Sequence, residues 1–239
     1  MMQAVLYSFL AAGAMVLGGG IPLLHKKLSD RALSLLVAFS GGVLLSTGLN
    51  HMVAESYAAS GRMAMLAVSA GFLILYGYEK LAMVHACREQ GCKVHTFGSA
   101  ALVGLGFHSF LDGFAIAVSF GFDQTLGLIV GGAVVLHRLP TGLSTACILL
   151  ANNYKEQRAW RVLAAIAGLA VVGAVTGALL PFKEHIYLSL AVGLSGGTFL
   201  YIATSDLLPM AHEDNQDYRV PFFFFLGFLT VLATSFLYG

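Results

Sequence analysis

Residues 39–51 read FSGGVLLSTGLNH, and residues 194–206 read LSGGTFLYIATSD. The Ser-Gly-Gly triplets align at one constant offset, which sets Asn50 opposite Ser205 and His51 opposite Asp206. Each triplet lies in an apolar run of helical length. Adjacent glycines let helices approach closely inside a membrane. When successive apolar segments cross a bilayer in alternation, the first copy runs one way and the second the other. Two copies of inverted topology, with a polar site between them near mid-membrane, are a mark of secondary transporters.

Composition supports a membrane setting for the whole chain. Of 239 residues, 58% are hydrophobic and 10% charged, against about 25% charged in soluble domains. About twenty apolar residues span a bilayer. Polar breaks divide the chain into eight such stretches, near 3–24, 32–54, 62–84, 98–120, 124–151, 159–181, 186–209 and 218–238. The expected fold class is an all-α membrane protein, with eight transmembrane helices in a 3+2+3 inverted-repeat arrangement. Almost nothing remains for a soluble domain, so residues 1–239 read as a single transmembrane domain. The opening MMQAVLYSFLAAGAMVL lacks a basic n-region and reads as the first helix rather than a cleaved signal.

Positive charge alternates from loop to loop. Lys26, Lys27 and Arg31 follow the first stretch, Arg88 and Lys93 the third, Lys155, Arg158 and Arg161 the fifth, and Arg219 the seventh. The opposite side offers Arg62 and Lys183. The positive-inside rule then puts the four basic loops in the cytoplasm and both termini outside. The expected location is the plasma (inner) membrane. A net charge of +1 gives no reason to expect a nucleic-acid partner.

The fourth and fifth stretches form a second related pair. FHSFLDGFAIAVSF (107–120) and VVLHRLPTGLSTA (134–146) each carry an apolar-His step followed by a polar residue four positions on. Ionisable residues at bilayer depth are costly and face a bundle interior, a partner or a water-filled path. His108 and Asp112 are four apart and share one helical face. With His137 from the next helix they offer two imidazoles and a carboxylate, a donor set suited to a borderline divalent cation. Pro140 lies inside the fifth stretch. It removes a backbone hydrogen bond and kinks the helix near Leu136, whose carbonyl is then either a further oxygen for a cation or simply the site of a structural kink.

These residues resemble the ZIP family of zinc and iron transporters. HSFLDGFAIAVSF is similar to the family's fourth-helix motif, and HRLPTG to its fifth. LVAFSGGVLLSTGLNHMVAE resembles its second helix, and GLSGGTFLYIATSDLLP its seventh. The resemblance covers nearly the whole chain. It implies that His108, Asp112 and His137 hold the metal. It also exposes departures. The fifth-helix acid or His is Thr141 here, a poor ligand beside imidazole and carboxylate. The asparagine of an adjacent second site is Ser109, and its acid is Arg138. A guanidinium cannot ligate a metal and repels one. One metal site at most is therefore expected, with Arg138 as a built-in charge whose partner is Asp112 or Asp206.

Other polar residues read less sharply. His51 and Glu55 share a face near the outer end of the second stretch and suit a cation-attracting vestibule or a solvated helix end. Asp206, with Ser205, lines an inner exit or neutralises Arg138. Glu79 and Lys80 are expected to snorkel to the interface, and the Phe222–Phe225 run to face lipid. The loop HACREQGCKVH (85–95) carries Cys87, Cys92, His85 and His95, at a looser spacing than a zinc knuckle, so a solvated loop is the plainer reading. A structural disulfide is not expected on a reducing side.

The leading expectation is a transporter that moves a divalent cation, zinc first, toward the cytoplasm through one mid-membrane site on the fourth and fifth helices. The metal is the substrate, the bilayer the surroundings, and no cofactor is expected. Arg138 and Thr141 motivate an alternative: a degenerate relative that transports no metal or something else. A further alternative is an intramembrane metal-dependent hydrolase, since two His and an Asp with an open position is also catalytic zinc geometry. Inverted repeats and the lack of a spare general base weigh against an enzyme. Small-residue faces permit a homodimer without requiring one.

Overall fold

A computed structural model of the chain describes residues 1–24, 29–86, 97–179, 185–212 and 217–238. In hydrocarbon every backbone N–H and C=O must be satisfied within the protein, and a helix does this segment by segment. The described residues accordingly form eight helices: α1 (Met2–Leu24), α2 (30–60), α3 (Arg62–Ala86), α4 (Phe97–Phe122), α5 (Gln124–Ala151), α6 (Glu156–Leu179), α7 (185–212) and α8 (Arg219–Tyr238). Seven are long and apolar enough to cross a membrane, and α8 contributes a shorter apolar stretch, Arg219–Ala233.

Local chemistry sets several helix ends. Asp123 is extended, and its Oδ1 accepts from Leu126 N at 3.0 Å, which fixes the start of α5. Ser29 caps α2 through Ala32 N at 3.2 Å. Gly61 (φ +55°) and Asn153 (φ +57°) make the left-handed turns after α2 and α5, a region open to glycine and tolerated by asparagine.

Two features depart from simple helices. Thr47–Val53 in α2 and Ile202–Leu207 in α7 are π-helical. They begin at the same offset that aligns the two Ser-Gly-Gly triplets. The first carries α2 past its expected end near 54, on to Ser60. Wide turns of this kind are frequent at functional positions.

Packing is organised by close-approach glycines. An added Cβ on Gly18 would lie 2.0 Å from Leu139 O, and one on Gly142 2.0 Å from Met15 O, so α1 and α5 touch backbone to backbone. Gly113 and Gly173 do the same between α4 and α6, against Ala170 O (1.7 Å) and Phe110 O (1.9 Å). Gly42 and Gly227 join α2 to α8, and Gly71 and Gly197 join α3 to α7, each at 2.0–2.1 Å from a carbonyl oxygen. α2 and α7 run antiparallel. Ser34 Oγ donates to Ala211 O (2.8 Å) near one end, and Ser56 Oγ donates to Ser189 O (2.7 Å) near the other.

Two expectations need correction. Glu79 does not snorkel: it is 1% exposed, and its Oε2 accepts a short hydrogen bond from Tyr201 OH. A carboxylate with a buried hydroxyl donor gains less from reaching water. Lys80 does reach outward, with its side chain 49% exposed. The phenylalanine run is split by helical periodicity. Phe222 and Phe225 are exposed, whereas Phe223 and Phe224 pack against the core. Lys26, Lys27, Arg88, Lys93, Lys183, Cys87, Cys92, His95, Glu213 and Asp214 lie outside the described residues.

Candidate metal site

α4 and α5 bring His108, Asp112 and His137 together. One ligand atom from each lies within 4.8 Å of the others, close enough that the group could hold a metal ion. Asp112 Oδ2 is the hub. It lies 2.9 Å from His137 Nε2, 3.2 Å from His108 Nε2 and 3.0 Å from Arg138 Nε. A carboxylate oxygen offers about two lone pairs, and three nitrogens crowd this one. Only His137 meets it as an aligned hydrogen bond. His108 Nε2 and Arg138 Nε have no aligned partner, so their contacts with Asp112 are close charge approaches. Ligand atoms around a tetrahedral zinc sit about 3.4 Å apart, and the 2.9 and 3.2 Å separations are near that value.

The histidine orientations come from neighbouring helices. His108 is fully buried. Its Nδ1 lies 3.1 Å from Ser195 Oγ of the second Ser-Gly-Gly triplet, and its ring centroid is 4.2 Å from that of Phe199. With Nδ1 engaged, Nε2 is the atom turned toward Asp112. A partner on the second ring nitrogen is how metal-binding histidines are commonly oriented. The His137 side chain is 30% exposed, so the cluster is not sealed.

Arg138 is fully buried and tied on three sides. Nη1 donates to Ser109 Oγ (2.9 Å) and Met15 Sδ (3.1 Å), and Nη2 donates to Ser109 O (2.9 Å). Ser109 Oγ in turn donates to Ile166 O in a short hydrogen bond. Of the two partners anticipated for this cation, the structure places Asp112 beside it, not Asp206.

The remaining candidates stand apart. Thr141 Oγ1 donates to His137 O at 2.8 Å, and Ser144 and Thr145 bond back along α5 in the same way. The helix continues through Pro140. His51 Nδ1 faces Glu55 Oε1 at 3.6 Å, with Glu55 70% exposed, away from the His108 cluster. Asp206 is buried in the second π segment, and neither carboxylate oxygen has a hydrogen-bond partner. Sequence reasoning missed Met15 and Ser195 as supports. The alignment of Ser195 with Ser40 was the signal available for the latter.

The fold and site define a multi-pass helical membrane protein with a largely buried His/Asp cluster between α4 and α5. The profile described as ZIP Zinc transporter matches residues 84–235, and the chain belongs to that family. It is similar to zinc transporter YKE4 of Saccharomyces cerevisiae, 28% identical over 236 residues, covering 84% of this chain and 68% of that protein. It is 32% identical over 153 residues to human zinc transporter ZIP6, covering 59% of this chain and 20% of ZIP6. It is also 32% identical over 121 residues to zinc transporter ZIP10 of Danio rerio, covering 49% of this chain and 14% of ZIP10. The matched region is thus a small part of the ZIP6 and ZIP10 chains and about two thirds of YKE4.

Proposed function

We propose that this chain carries a divalent cation, zinc first, across the membrane toward the cytoplasm through one site formed by His108, Asp112 and His137. The observation that carries the reading is the convergence of these three ligand atoms within 4.8 Å, inside helices long enough to span a bilayer. The printed names of the relatives, all zinc transporters, support the substrate class. Three protein ligands leave an open position for water or the next ligand along a path.

Arg138 supports a single ion. Its charge already balances Asp112, so a bound dication leaves the cluster strongly positive at short range, and a second dication there is repelled. The site is expected to bind weakly and release readily. His51 and Glu55 suit the outer approach and Asp206 the inner exit. The cytoplasmic side is assigned by the basic loops, which places both termini outside.

The 3+2+3 inverted-repeat reading is supported by the close-approach glycines. Gly18, and Met15 whose carbonyl Gly142 approaches, match Gly173 and Ala170 at the offset that aligns Ser40 with Ser195. Gly142 and Leu139 match Gly113 and Phe110 at the offset that aligns His137 with His108. A carrier that alternates between two related arrangements follows from such symmetry.

The second reading, a relative that moves no metal, rests on Arg138 Nε lying 3.0 Å from Asp112 Oδ2. Proteoliposome uptake of zinc, cadmium, manganese, iron(II) and cobalt decides between them. Saturable flux abolished by His108→Ala is expected. Folded protein with no flux for any of the metals sinks the metal reading.

A further inference from the structure

Ser40 is fully buried, and its hydroxyl has no hydrogen bond of good geometry, only the weak approach of a thiol. A buried hydroxyl so poorly paired costs free energy. It lies beside the Cys147 thiol, and a thiol is a weak hydrogen-bonding group. Ser40 aligns with Ser195, which holds His108 Nδ1 at 3.1 Å. His137 aligns with His108. Among the described residues none hydrogen-bonds His137 Nδ1. The two halves of one symmetric pattern are therefore in different states: one serine holds its histidine, and the other is idle ten positions along α5 from its own.

From this asymmetry we propose that Ser40 is a positioning residue for His137, and that the two serines exchange. In the described arrangement Ser195 orients His108 and Ser40 rests beside Cys147. In the other arrangement Ser40 orients His137, and Ser195 rests beside Val118, the position on α4 that aligns with Cys147. The separation of positions 137 and 147 corresponds to roughly 15 Å along a helix, which sets the scale of sliding between α2 and α5. The exchange rests on the inverted-repeat carrier reading above. It gives each arrangement one oriented imidazole, so that the ligand set is never fully preorganised on both sides at once.

The test uses the full chain in liposomes, with Cys87 and Cys92 replaced by serine. Ser40→Cys faces the native Cys147, and mild oxidation yields a 40–147 disulfide from the described arrangement. In a Cys147→Ala background, Ser40→Cys with His137→Cys, and separately Val118→Cys with Ser195→Cys, report the other arrangement. All three disulfides are expected. Ser195→Ala lowers the 40–147 yield about fivefold, the population equivalent of one net hydrogen bond, and Ser195→Thr restores it. Ser40→Ala lowers the 118–195 yield similarly, and Ser40→Thr restores it. A general packing defect would move both yields the same way, and that result overturns the exchange. So does a 40–147 disulfide with neither of the other two, or failure of all three. Zinc uptake by the chain with Ser40, His137 and Ser195 intact separates the readings. Uptake without the 40–137 and 118–195 disulfides removes the exchange and leaves transport standing. Disulfides without uptake remove transport and leave the exchange.

Discussion

Arg138 Nε lies 3.0 Å from Asp112 Oδ2, the same oxygen that accepts a hydrogen bond from His137. A permanent cation and the candidate metal thus share one carboxylate oxygen. Breaking a buried charge pair from one side is costly, about 3–5 kcal/mol. Asp112→Asn is expected to destabilise the protein by that order, because Arg138 loses its counter-charge. Arg138→Met leaves Asp112 uncompensated, and a dication can replace the missing charge. Thermal unfolding in detergent, with and without zinc, checks this: zinc restores Arg138→Met and does not restore Asp112→Asn.

Zinc binding itself should follow the three ligands. Equilibrium dialysis is expected to count one ion per chain. His108→Ala and His137→Ala should each weaken binding by at least about tenfold, the lower end of what even a supporting residue contributes at metal sites. Two ions in the unaltered protein would contradict the role given to Arg138.

Backbone contact between helices makes a sharp stability prediction. Gly113→Ala puts a Cβ 1.7 Å from Ala170 O, whereas Gly132→Ala meets nothing within 4 Å. Overpacking of this kind costs about 1–3 kcal/mol or more. Gly113→Ala should lower the unfolding midpoint clearly, and Gly132→Ala should leave it unchanged or raise it slightly through better helix propensity.

Outside the membrane spans, Asp217 accepts from the backbone N–H of Arg219 at 3.1 Å and from Arg31 Nη2 at 2.6 Å. The Arg219 backbone N–H, and then the Arg31 guanidinium, hold its carboxyl below the usual carboxylate range. A lowered acid stabilises the fold at pH above its unfolded value, and the contribution disappears as pH falls through the lowered one. The junction between the starts of α2 and α8 should therefore stay closed at neutral pH and open only in strong acid. Amide protection of residues 31–34, the exchange rate taken relative to the unfolded chain at each pH, reads it out, and Asp217→Asn should remove the pH dependence of that protection.

Much of this was legible in the sequence. The bounds 124–151 of α5 follow from the polar breaks, and the gathering of His108, Asp112 and His137 follows from i,i+4 spacing and a second imidazole on the next helix. The π segments were not legible. A single widened turn changes no composition, and the residues of Thr47–Val53 suit an ordinary helix equally well. The burial of Glu79 was missed because its partner, Tyr201, is far away in sequence. Arg138 was recognised as a charge in need of a partner, but its anchorage to Met15 and Ser109 depends on how α1 and α4 meet α5.

The close-approach glycines also have a mechanical meaning. Where an added Cβ would strike a carbonyl within 2.1 Å, as between α1 and α5, α4 and α6, α2 and α8, and α3 and α7, the paired helices are stiff to relative displacement. Gly104 of α4 has side chains as its nearest neighbours, Ile202 of α7 and Leu75 of α3, and a side-chain seam yields more readily in shear. Shear along such a seam changes how far each stiff pair protrudes from the hydrocarbon layer. Mismatch costs fractions of a kcal/mol per Å, so the acyl-chain length of the surrounding lipid becomes a lever on which arrangement of the protein prevails.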